Sequence, residues 1–112
     1  AYEFNDASAP PVLPGGDALS FPMGAAHTSE LQYLFSMRPL NESQQALSDA
    51  MVGYWTRFAR TGNPNETATP GAWPAFTAGN DTYLSLTPGA VAPTTGFAAD
   101  HKCDTVWATL GT

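Results

Sequence analysis

A strand, a proline-rich loop, a long amphipathic helix, a second short strand and a terminal helix follow one another along this chain, an order that predicts an α/β fold. Three observations carry the prediction. Leu47, Met51, Tyr54, Trp55 and Phe58 recur at helical spacing between Ser43 and Thr61. Tyr83-Leu84-Ser85-Leu86 is a short apolar run of strand type, bounded by turn-forming residues. Ten glycines and ten prolines together supply 20 positions, so much of the backbone is read as turns and loops.

Taken in order, Tyr2 to Asn5 reads as the end of a strand, and Asp6 opens the turn after it. Residues 7–23 hold Pro10, Pro11, Pro14, Gly15, Gly16 and Pro22, which makes them a loop. Thr28 or Ser29 can cap a short helix running through Leu34, with Glu30 in its first turn, where a carboxylate suits the helix dipole. The helix from Ser43 to Thr61 has Asn41 or Ser43 as its cap, Asp49 in its front half, and Arg57 and Arg60 in its last two turns. Gly62 stands at the C′ position and Pro64 blocks continuation. Tyr54, Trp55 and Phe58 on this helix are expected in the core. Residues 63–71 read as loop, and Trp73-Pro74-Ala75-Phe76 as an extended aromatic stretch. Pro88 to Gly96 reads as loop again, and Ala99, Cys103, Val106, Trp107 and Leu110 predict a terminal helix from about Phe97 to Leu110.

Charged residues make up 12% of the chain, half the usual share of about a quarter, while 43% are hydrophobic. That balance suits a segment that packs against more protein. The net charge of −6 sets ten carboxylates against Arg38, Arg57, Arg60 and Lys102. It disfavours nucleic acid and anionic membranes as partners. No apolar run approaches the roughly 18 residues of a membrane-spanning helix. The chain opens in a strand without an initiator Met, so it is expected to be a piece of a longer protein. One cysteine, Cys103, excludes an intrachain disulfide and by itself reads as a small buried hydrophobe.

Two motifs are more specific than these patterns. GAAHTSELQYLF spans Gly24 to Phe35, and GYWTRFARTGNPN spans Gly53 to Asn65. Together they resemble the C-terminal part of the type-B carboxylesterase family, the α/β-hydrolases that include cholinesterases, carboxylesterases and some fungal lipases. The resemblance continues through Trp73-Pro74, Tyr83-Leu84-Ser85-Leu86 and Cys103-Asp104-Thr105-Val106-Trp107, in family order. It implies that residues 1–112 are the C-terminal fragment of a single α/β-hydrolase catalytic domain, with a late sheet strand, a histidine loop, the long helix, a short strand and a terminal helix.

The resemblance also implies a role for His27 as the base of a Ser-Glu-His triad. Ester hydrolysis of this kind asks one imidazole nitrogen to take the serine proton and the other to donate to a carboxylate. The ring later returns the proton to the leaving alcohol. Gly24, Ala25 and Ala26 leave room for close backbone approach. Glu30 is not read as the triad acid, because in this fold the acid precedes the histidine. It is either a buried group supporting the histidine loop or a simple first-turn carboxylate. Glu3, Asp6 and Asp17 precede His27 but have no recognisable triad context. No G-x-S-x-G and no glycine-rich oxyanion segment occurs, so serine, acid and oxyanion hole are expected in upstream sequence.

Phe21, Met23, Tyr33 and Phe35 flank the loop, where the family borders its acyl or alcohol pocket. The resemblance implies a disulfide from Cys103 to an upstream cysteine. Asn41, Asn65 and Asn80 stand in glycosylation sequons, whereas Pro64 spoils Asn63; a secreted or extracellular location is favoured. A metal reading of His101, Cys103 and Asp104 fails on spacing, which scatters them around a helix. No cofactor or metal is implied, and the expected partners are an ester substrate and the remainder of the hydrolase domain. Two rivals are a cholinesterase-like adhesion protein with a broken triad and an independent small α+β binding module.

Overall fold

A computed structural model describes residues 1–12, 19–65 and 72–110. Strand β1 runs over Tyr2–Phe4, helix α1 over Leu31–Phe35 and helix α2 over Glu42–Thr61. Strands β2, Tyr83–Leu86, and β3, Ala92–Thr94, follow, then a single turn α3, Phe97–Asp100, and a 3-10 turn at Trp107–Thr109. The three strands form one sheet in the order β1-β2-β3. β1 lies parallel to β2 with Tyr2 opposite Leu84, and β3 returns antiparallel with Pro93 opposite Leu84.

The long helix is as the periodicity predicts, one residue longer at its start. Asn41 is the cap: its side chain accepts from the Gln44 backbone N–H, and the Gln44 side chain accepts from the Asn41 N–H. Two orphan donors of the first turn are thereby satisfied reciprocally. Gly62 closes the other end at φ 72°, a left-handed conformation that costs glycine nothing.

The face that α2 buries is rotated from the expected one. Leu47, Met51 and Tyr54 are buried, but so are Gln44 and Ser48, while Trp55 is half-buried and Phe58 is 59% exposed. Phe58 and Trp55 instead line a cleft of about 670 Å³ with Tyr2, Trp73 and Pro64. Tyr2, Trp55 and Trp73 meet there, with ring centroids 5.1 to 5.4 Å apart. The core proper joins Tyr33, Leu47, Met51, Tyr54, Leu84 and Leu86, where the helix pair meets the sheet.

Three further expectations are corrected. Glu30 is the cap residue of α1, outside its first turn, and neither Thr28 nor Ser29 provides a side-chain cap. Residues 88–96 are not all loop, since β3 occupies Ala92–Thr94; Pro93 masks it in the sequence, because proline is a strand residue only at an edge. The terminal helix is broken. After α3, Lys102 adopts φ 58°, and the backbone bonds Cys103 to Ala98 and Ala108 to Cys103 skip five residues. Val106, Trp107 and Leu110 stay exposed. Parts of the predicted loops at 7–23 and 63–71, with Asp17, lie outside the described residues. No helix among the described residues is long and apolar enough to cross a membrane.

Candidate active-site histidine loop

The chain leaves the carboxyl end of β1 at Asn5, whose N–H donates to the Leu86 carbonyl at 3.0 Å. It returns to the core at α1. In open α/β sheets this end of the strands is where ligand-handling loops gather. His27 lies in the tight turn that enters α1: Ser29 N–H donates to the Ala26 carbonyl, and Leu31 N–H to the Thr28 carbonyl. Its ring is exposed and makes no hydrogen bond among the described residues. Thr28, next to it, is held at φ 74°, an outlier for a β-branched residue and a local store of strain.

Glu30 shares this turn with His27. It is half-buried, not buried, and its carboxylate makes no hydrogen bond or ion pair among the described residues. Phe21, Met23 and Phe35 are each exposed, whereas Tyr33 is fully buried.

The strongest polar cluster lies beneath the loop. Asp6 is 4% exposed and accepts from four donors: the Tyr33 hydroxyl, Gln44 Nε2 at 2.8 Å, and the Ser8 N–H and hydroxyl at 2.8 and 2.7 Å. Burial alone would raise the Asp6 pKa, but the bonds from Tyr33, Ser8 and Gln44 outweigh it and hold the carboxyl below its ordinary value. Tyr33 moves the opposite way, raised by burial and by the adjoining Asp6 charge. Gln32 Nε2 donates to the Pro10 carbonyl, and the Ser48 hydroxyl donates to the Tyr33 carbonyl at 2.5 Å. Gln32 Oε1 is buried without a donor. The sequence pattern missed this cluster. The signals were Asp6-Ala7-Ser8, an Asx-turn pattern, and the polar Gln44 and Ser48 interrupting an apolar helix face.

The other candidates stand apart. Cys103 is half-buried and unpaired. His101 stacks on Phe97 at 4.2 Å and contacts Glu3 at 2.5 Å. No cluster of three histidine, cysteine or acidic residues placed to hold a metal ion occurs among the described residues. Asn41 caps α2, and Asn80 turns back on Thr82. Asn65 donates to the Trp73 carbonyl and accepts from its N–H.

The chain is mixed α/β with one parallel strand pair among the described residues, and His27 is exposed on the loop that leaves it. The chain belongs to the carboxylesterase family, whose profile matches residues 1–106, and the family implies an α/β-hydrolase. Bile salt-activated lipase of Bos taurus is 38% identical over 92 residues, covering 76% of this chain and 14% of the relative. Acetylcholinesterase of Bungarus fasciatus is 42% identical over 71 residues, covering 57% of this chain and 12% of its own length. Bile salt-activated lipase of Homo sapiens is 36% identical over 95 residues, covering 78% of the chain and 12% of the relative. The chain thus spans 12 to 14% of the length of these relatives.

Proposed function

We propose that this chain is the C-terminal part of a serine carboxylic-ester hydrolase domain and supplies its triad histidine, His27. The observation that carries the reading is the exposed ring of His27, without a hydrogen bond among the described residues, on the loop after a parallel strand in a chain of the carboxylesterase family. The serine, the acid and the oxyanion hole come from upstream sequence. His27 takes the serine proton as the hydroxyl attacks the ester carbonyl, then returns it to the leaving alcohol as the acyl-enzyme forms. In the second half it activates water in the same way. Glu30 supports the loop rather than moving protons. The names of the relatives, a lipase and an acetylcholinesterase, point to carboxylic esters as the substrate class.

Turnover of a p-nitrophenyl ester by the intact enzyme and its variants tests the assignment. His27→Ala should lower kcat on the order of a million-fold, the scale seen when a triad member is lost. Glu30→Gln should cost less. Near-normal turnover in His27→Ala removes His27 from the triad, and an intact protein inactive with His27 in place is the adhesion-type alternative. Cys103 is oxidised in the intact protein, paired with an upstream cysteine, and the protein is secreted or extracellular; the three sequons support that location. One equivalent of free thiol at Cys103 on denaturing thiol titration refutes the pairing.

A further inference from the structure

The buried Asp6 carboxylate accepts four hydrogen bonds in the cluster under the histidine loop. Its four donors match the roughly four lone-pair sites of an ionised carboxylate. It therefore has no vacant site for an imidazole N–H and cannot also be the triad acid in this arrangement.

The placement of its partners shows what the cluster does. Asp6 and Ser8 lie in the turn after β1 that leads into the loop, Tyr33 lies on the helix that leads out of it, and Gln44 lies on the first turn of the long helix. Gln32, beside Tyr33, reaches back to the Pro10 carbonyl. Two cross-ties from one short helix thus join the chain after His27, at Gln32 and Tyr33, to the chain before it, at Pro10 and Asp6. Ser48 fixes that helix again through the Tyr33 carbonyl. Nothing among the described residues holds the His27 ring directly.

From this geometry we infer that Asp6 and Tyr33 are positioning residues for His27: their buried bond sets where the loop presents the imidazole. The inference rests on the reading of His27 as the catalytic base. A positional error of about 1 Å at a catalytic group can cost on the order of a hundred-fold in rate. The loss falls on kcat, because the cluster touches no substrate.

The experiment uses the intact enzyme and four variants, with kcat, KM and the urea unfolding midpoint measured for each. Tyr33→Phe removes the hydroxyl alone, and Asp6→Asn keeps an acceptor for it. Trp55→Ala lies in the aromatic cluster of Tyr2 and Trp73, which packs against the same core without a hydrogen bond to Asp6 or Tyr33, and serves as a destabilised control. His27→Ala reports on the underlying reading. The expected result is a kcat about ten- to a hundred-fold lower in Tyr33→Phe at near-constant KM. A smaller loss is expected in Asp6→Asn, and none in Trp55→Ala despite its lowered midpoint. Unchanged kcat in Tyr33→Phe and Asp6→Asn overturns the inference, as does a loss that Trp55→Ala reproduces. If His27→Ala retains turnover, the catalytic reading itself falls, an outcome separate from the other two.

Discussion

Glu3 and Asp6 stand three residues apart at the end of β1, and both carboxyls are held below their ordinary pKa, yet they organise the chain differently. Asp6 collects its donors from its own turn, from α1 and from α2, all inside the fold. Glu3 meets Asn5 at 3.1 Å and His101 at 2.5 Å, and the His101 side chain is 46% exposed. For Glu3 burial would raise the pKa, and the bonds from Asn5 and His101 overcome it. A carboxylate orders what surrounds it when its donors come from buried elements. When its main partner is a solvent-screened histidine at the chain's far end, the tie is weak.

The largest expected effect follows from breaking the buried member. Asp6→Ala strands the Tyr33 hydroxyl and the Gln44 amide in the interior and should destabilise the intact protein by about 3 kcal/mol, read from urea unfolding. The pH dependence sharpens the same point. The folded pKa of Asp6 is depressed, so its stabilisation is present above the unfolded value near 3.8 and is lost as pH falls through the folded value. The raised Tyr33 pKa works in reverse: its contribution is complete below about 10 and lost as pH climbs past it. In Asp6→Asn the acid limb of the stability curve should flatten; an unaltered limb would assign acid unfolding to other carboxylates.

Next in size is the aromatic cluster. Trp55→Ala should cost about 2 kcal/mol, below the full cost of a core aromatic because Trp55 is only half-buried. Phe58→Ala should cost under about 1 kcal/mol in the isolated chain, where Phe58 is 59% exposed. A Phe58 penalty as large as that of Trp55, measured by denaturation of that chain, would contradict the exposed placement.

Thr28→Gly should be stabilising by about 1 kcal/mol, since glycine takes φ 74° without strain. His101→Ala should change the unfolding free energy by less than about 1 kcal/mol. Its signature is faster amide exchange across residues 97–110, and unchanged exchange there would show that Glu3 does not tether the segment.

The sequence made the regular parts of this architecture legible. The long helix, its Asn41 cap and its Gly62 stop are local matters of spacing and turn chemistry, as is the strand at Tyr83, and they stand nearly as read. The histidine loop was legible through the motif around His27, whose role stays a proposal. What escaped the reading depends on partners far along the chain. Gln44 is buried because Asp6 waits 38 residues upstream, and helical periodicity weighs only apolar positions. Phe58 falls on the predicted stripe, but the sheet covers a neighbouring one. The terminal segment has helical spacing, yet spacing does not reveal that Lys102 turns left-handed and interrupts it.

Pro93 gives the three-stranded sheet a direction. On β3 it removes a backbone donor from a strand at the sheet boundary, where proline is tolerated because no neighbour requires that N–H. A further strand arriving on that side would find an incomplete ladder, the means by which sheets discourage unwanted lateral association. On the opposite boundary, β1 carries no proline. Among the described strands, β3 is therefore the edge less suited to take another partner.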